Sequence, residues 1–101
     1  MTEPEKSVIV TRELEPLIPT FLANRRKDLQ ALRAALSAVD FPALAEIGHR
    51  LKGVGASYGF DEISAIGRQI EIDARALDDA AVASRVEAYA GHLAHVKVIY
   101  D

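Results

Sequence analysis

Phe41-Pro42-Ala43-Leu44-Ala45-Glu46-Ile47-Gly48-His49-Arg50-Leu51-Lys52-Gly53-Val54-Gly55-Ala56-Ser57-Tyr58 is the stretch from which the whole chain can be organised. Leu44, Ile47, Leu51, Val54 and Tyr58 step by three and four residues. At about 100° per residue, those steps draw one narrow apolar stripe along a helix. Asp40 reads as its N-cap, and Pro42 falls in the first turn, where a missing N–H costs nothing. Gly59 ends it. His49 lies two residues from both Ile47 and Leu51, about 200° round the helix, so it points away from the core. Ala45, Lys52 and Gly53 share its face, and Ala56 lies one turn further on. The helix also carries Gly48, Gly53 and Gly55, each costing roughly 1 kcal/mol relative to alanine. About 3 kcal/mol is a noticeable share of a domain's stability of about 5–15 kcal/mol. Such an arrangement suggests that something comes close to the backbone there. Gly48 and Gly55, nearer the stripe, can serve helix–helix contact, whereas Gly53 stands on the histidine's own face.

Outward from this helix the periodicity continues. A first helix over about 17–39 has Leu22, Leu29, Leu32 and Leu36 as its stripe, widened by Ile18 and Phe21, with Pro19 in its first turn. A third over about 61–77 places Ile63, Ile66, Ile70 and Leu77 on one side. Asp78-Asp79 reads as a cap pair, and the fourth helix is expected to run to the C-terminus through Val82, Val86, Tyr89, Leu93, Val96 and Tyr100. A short helical turn is expected near residues 11–15. Connections of two to four residues make neighbours antiparallel, so the fold expected is all-α, an up-down four-helix bundle with a short extra N-terminal helix. Residues 1–10 read as a flexible tail and 11–101 as one domain. Val8-Ile9-Val10 is read as too short to seed a sheet.

Composition narrows the function. The chain has 101 residues, 50% of them hydrophobic and 27% charged, which suits one globular domain with a real core. It has no cysteine, so disulfide scaffolds, thiol catalysis and cysteine metal sites are excluded. A net charge of −3 argues against a nucleic-acid partner. No apolar run approaches the ~20 residues of a membrane span, and MTEPEKS is polar and acidic. The expectation is a cytoplasmic monomer without membrane contact.

An exposed His, Lys three residues on, Gly four on and a Gly stop ten on form a combination that resembles the histidine phosphotransfer (HPt) domain family. The residues are Gly48-His49-Arg50-Leu51-Lys52-Gly53 through Gly59-Phe60, followed by Ile63, Ile66 and Ile70-Glu71. Leu17-Ile18-Pro19-Thr20-Phe21-Leu22 looks like the family's opening helix, so the resemblance covers nearly the whole chain. Gly67 is a departure, since many members carry a cysteine or another small residue in the third helix. The resemblance implies a phosphoryl carrier rather than an enzyme, with no ATP site. His49 would accept a phosphoryl group from the aspartyl phosphate of a receiver domain and pass it to another receiver. Receivers of response regulators and hybrid histidine kinases are the implied partners, and Mg²⁺ and the aspartate would be theirs, with no cofactor on this chain. Such transfer is mainly positioning plus charge stabilisation. Lys52 fits the role of the nearby cation. Gly53, with Ala45 and Ala56, would let the receiver's loops approach. Glu71 and Arg75 occupy positions that in relatives lie near the histidine; the plainer reading is an i,i+4 ion pair on a helix surface.

Other constellations carry less. Gly53-x-Gly55-x-x-x-Gly59 has Tyr58 where a dinucleotide loop needs glycine, and no strand precedes it. His92 and His95 have an i,i+3 spacing found in metal sites, but the surface reading is preferred and no metal site is assigned. Arg25-Arg26-Lys27 reads as a solvated face that could touch an acidic receiver. Two alternative functions stay open: an adaptor bundle that binds receivers without transfer, and a metal-dependent bundle enzyme.

Overall fold

Four helices, α1 (Ile18–Ser37), α2 (Phe41–Ser57), α3 (Asp61–Arg75) and α4 (Asp79–His95), follow one another in a computed structural model that describes residues 6–101. The three links between them share one construction. Helices α1, α2 and α3 each end on a left-handed residue: Val39 (φ 51°), Gly59 (φ 82°) and Leu77 (φ 59°). The next N–H then reaches back to the last turn: Asp40 to the Ala35 carbonyl at 2.8 Å, Phe60 to Gly55 at 2.8 Å and Asp78 to Asp73 at 3.0 Å. These are Schellman closures. The residue that closes one helix opens the next, and the Asp40 and Asp78 carboxylates accept from the Ala43 and Ala81 N–H groups at 3.1 and 3.0 Å. Links this short turn each helix back on its predecessor, giving the all-α antiparallel bundle. Leu77, placed on the third helix's apolar side by its spacing, instead occupies the left-handed link and is 67% exposed.

The core is built from the inward stripes. Leu44, Ile47 and Leu51 of α2 meet Ile63, Ile66 and Ile70 of α3 and Val82, Val86, Tyr89 and Leu93 of α4, with Ile18, Phe21 and Leu32 from α1. The α2–α3 contact is the most extensive. A Cβ built on Gly67 would stand 2.7 Å from the Gly48 carbonyl and 2.7 Å from the Lys52 backbone nitrogen. A Cβ on Gly48 would stand 2.7 Å from both the Gly67 carbonyl and the Glu71 nitrogen. Two glycines therefore let the backbones of α2 and α3 touch.

Three expectations need correction. Arg25 is not on a solvated face: it is buried, stacks 4.8 Å over the Phe21 ring and pairs with buried Asp28 at 2.9 Å. Arg50 closes the same cluster on Asp28 at 2.8 Å. The burial of α1 is thereby rotated, leaving Leu22, Leu29 and Leu36 half-buried. His92 is buried too, with Nδ1 2.7 Å from Glu62 of α3, whereas His95 is exposed as expected.

The largest difference lies at the chain's two ends. Lys6–Val10 is a strand, β1, and the fourth helix stops at His95, giving way to a second strand, β2 (Val96–Tyr100). The two pair in parallel, Lys6 with Val96 through Val10 with Tyr100. The tail reading thus fails over residues 6–10, and its remaining residues, 1–5, lie outside the described ones. Val10 is buried, and Val8, Val96, Val98 and Tyr100 pack on the core. A 3-10 helix, Arg12–Leu17, joins β1 to α1 close to the expected short helical turn.

The Tyr89 hydroxyl donates to the Arg25 carbonyl at 2.9 Å from within the core. Burial, reinforced by the Asp28 charge, pushes this phenol well above its usual value. A raised acid favours the protonated folded state, so its contribution is complete below about pH 10, the unfolded value, and is lost as pH rises further. Tyr89→Phe is expected to lower stability at neutral pH by about 0.5–1.5 kcal/mol. It should also flatten the decline above about pH 10. Urea melts at neutral and alkaline pH measure both; equal alkaline decline in the two proteins would disprove the assignment.

Candidate functional site

His49 sits at the middle of α2, on the face opposite Ile47 and Leu51, and its side chain is 66% exposed. The ring is held. Its Nδ1 lies 3.1 Å from Oε2 of Glu71, on α3. Glu71 is buried as a residue, 8% exposed, because α3 lies against α2 through the Gly48–Gly67 contact. Two cations meet the same carboxylate: Arg75 Nη2 donates to Oε2 at 2.8 Å and Lys52 Nζ to Oε1 at 3.4 Å. Burial on its own would push the Glu71 carboxyl up. Hydrogen bonds from Arg75 and Lys52, then the charges of Lys52 and His49, outweigh it and hold the carboxyl below its ordinary value.

The geometry orients the imidazole. A carboxylate accepts only, so the ring nitrogen facing Glu71 donates, and the proton belongs on Nδ1. Nε2 then keeps its lone pair, on the side of the ring away from the carboxylate. The Lys52 backbone is pinned in turn, its carbonyl accepting from Ser64 Oγ at 2.7 Å.

Around the histidine the surface is low and partly apolar. A Cβ on Gly53 would meet nothing within 4 Å, in contrast with Gly48, Gly55 and Gly67. Gly53 therefore faces open space, and Ala56, one turn beyond, is exposed. Ala45 is half-buried and lines an open cleft of about 530 Å³ with Phe41, Pro42, His49, Arg75 and Leu77. His49, Lys52, Gly53, Ala45, Ala56 and Arg75 thus share one side of the α2–α3 pair. Glu71 organises this side, and it was visible in sequence only through the family resemblance: 22 residues separate it from His49, and no helical spacing connects them. The Glu71–Arg75 ion pair exists as the plainer reading had it, and the same carboxylate also holds the histidine.

Among the described residues no group of three or more His, Asp or Glu side chains is placed to hold a metal ion. No helix there is long and apolar enough to cross a membrane.

The Hpt domain family model matches residues 16–97, so the chain belongs to the Hpt domain family. The comparisons with curated proteins and with solved structures found no match. Members of this family are phosphotransfer carriers that work with receiver domains in two-component systems.

Gly53 separates two explanations of a helical glycine. With open space above it, Gly53→Gln is expected to stabilise the isolated chain by about 1 kcal/mol. That corresponds to roughly 4–8 °C in Tm for a domain of this size. A glutamine standing one turn from His49 should still slow transfer from a docked partner severely. A lower Tm, or a stabilised variant with normal transfer, would contradict this reading.

Proposed function

We propose that His49 takes a phosphoryl group from a receiver-domain aspartyl phosphate on Nε2 and gives it to a second receiver. The observation that carries this reading is the exposed imidazole whose Nδ1 is held by buried Glu71, leaving Nε2 outward. The Nε2 lone pair attacks phosphorus, an N–P bond forms and the acyl phosphate P–O bond breaks. The receiver's carboxylate leaves with the bonding pair. The Nδ1 proton stays in place, and the positive charge that develops on the ring is met by the Glu71 carboxylate. Keeping the phosphorylated ring protonated also keeps imidazole a good leaving group for the return step. The divalent cation that neutralises phosphoryl oxygens belongs to the receiver in this reading.

Lys52, three residues on, is the α2 cation that shares the histidine's face, whereas Arg50 turns to Asp28. Lys52 is half-exposed and only loosely held, 3.4 Å from Glu71, so it can turn toward a phosphoryl group on Nε2. Lys52→Ala is expected to slow transfer several-fold or shorten the phosphohistidine lifetime, since exposed charges interact weakly in water, by about 1 kcal/mol or less. Far-UV circular dichroism should not change. Identical kinetics and lifetime in the variant would reduce Lys52 to a solvated charge.

The test of the function is incubation of the purified chain with labelled, phosphorylated receiver domains. Acid-labile label should move to this chain and onward to a second receiver. Stable binding of receivers with no transfer would favour the adaptor reading instead.

A further inference from the structure

The outer edge of β2 carries a pattern that is complementary to itself. Among the described residues the sheet contains β1 and β2 only, paired in parallel, and one face is turned to solvent. Parallel sheets are normally covered on both faces, and a lone two-stranded sheet is marginal. Here Ile9 and Ile99, register partners on the outward face, are 68% and 43% exposed.

The direction of the backbone groups follows from the ladder. The Asp101 N–H donates to the Val10 carbonyl at 3.0 Å, and the Asp101 carbonyl accepts from the Arg12 N–H at 3.1 Å. Alternation along a strand then turns the groups of Lys97 and Ile99 toward β1 and those of Val96, Val98 and Tyr100 outward. Two of the outward groups are used: the Val96 N–H bonds to the His92 carbonyl, and the Tyr100 carbonyl takes a long 3.4 Å bond from the Arg12 guanidinium. The Val96 carbonyl, both Val98 groups and the Tyr100 N–H form the edge.

We infer that β2 pairs antiparallel with β2 of a second copy of this chain, about a twofold axis at Val98, to make a four-stranded sheet. In this register Val98 faces Val98 and exchanges two hydrogen bonds. Each Tyr100 N–H meets the other copy's Val96 carbonyl, giving four bonds and leaving the two used groups undisturbed. Charge fits the same arrangement. Lys97 lies at one end of the strand and Asp101 just beyond the other, so antiparallel pairing sets each Lys97 diagonally across from Asp101 of the second copy. Lys97 also comes opposite Ile99, whose apolar surface its methylene stem can cover. An interface of this kind is isologous and closes at two copies. The pairing edge is the side of β2 away from β1, whereas Gly59 and the end of α2 lie beside the Ile9 carbonyl on the other side of β1. The contact is small, so the dimer should form with rising concentration rather than persist at high dilution.

Sedimentation equilibrium across a concentration series tests this. The mass should rise toward twice the 11.0 kDa of one chain. Lys97→Glu should suppress the rise, and Lys97→Glu combined with Asp101→Lys should restore it. Val98→Cys, the only cysteine in its chain, should cross-link rapidly under mild oxidation, because a hydrogen-bonded pair sets Cα atoms about 5.5 Å apart. Exposed Ser57→Cys should not. A monomer at every concentration overturns the inference. So does a dimer indifferent to Lys97→Glu in which Val98→Cys fails to cross-link, because such a dimer uses another surface.

Discussion

His49→Gln is expected to abolish phosphoryl acceptance while leaving the bundle folded. The imidazole is two-thirds exposed, so removing it leaves no cavity, and what ties it to the bundle is the bond to Glu71. Glutamine is a better helix former than histidine by a few tenths of a kcal/mol, so melting should shift by no more than a degree or two. Glu71 keeps Arg75 and Lys52 as partners in the variant, so no buried charge is stranded. Transfer from a phosphorylated receiver should fall to background, because an amide nitrogen is not a nucleophile at neutral pH. Label uptake by this variant would remove His49 from the reaction. A large drop in Tm would mean that the histidine is part of the fold.

Gly67→Val is the substitution expected to damage the fold most. The new Cβ would stand 2.7 Å from the Gly48 carbonyl, the Leu51 Cβ and the Lys52 nitrogen. Two of these are backbone atoms of a neighbouring helix and cannot swing aside as a side-chain tip can. Helices α2 and α3 must separate, an overpacking penalty of about 1–3 kcal/mol or more. For a domain this size that means a fall in Tm of roughly 5–20 °C. Separation also carries Glu71 away from His49, so transfer should slow in the fraction that remains folded. Thermal melts and single-turnover transfer measure the two effects. Unchanged stability would show that the close helix contact is not real.

The helices were legible because apolar residues recur along each at helical steps and the links between them carry stop and start signals, whereas the end of α4 and the buried side of α1 were not. Asp40, Gly59 and Asp78 marked three boundaries correctly. Exposure of His49 followed from rotation alone, since Ile47 and Leu51 fix the buried side of α2. The strands were hidden for a physical reason. Five residues offer too little alternation to separate a strand from a tail or a helix end, and the partner of β1 lies 90 positions away in sequence. Charge misled in two places. Arg25 and Asp28 are polar at core positions and become tolerable only as a pair, beneath Arg50 and beside Phe21. His92 is buried against a carboxylate on another helix, which no local spacing announces. The three glycines of α2 could be sorted by rotation, Gly48 and Gly55 toward the apolar stripe and Gly53 on the histidine's face, and the backbone of α3 against the first two, with open space above Gly53, agrees.

The central claim is that phosphorus reaches His49, and on Nε2 rather than Nδ1, because Glu71 occupies the Nδ1 side. Nitrogen-15 NMR of the imidazole rings, recorded before and after exposure to a phosphorylated receiver domain, tests this most directly. The account predicts a phosphorus-coupled Nε2 on His49, with a protonated Nδ1 still hydrogen-bonded, and no change at His92 or His95. Phosphorus on His49 Nδ1, on another residue, or on none would contradict it.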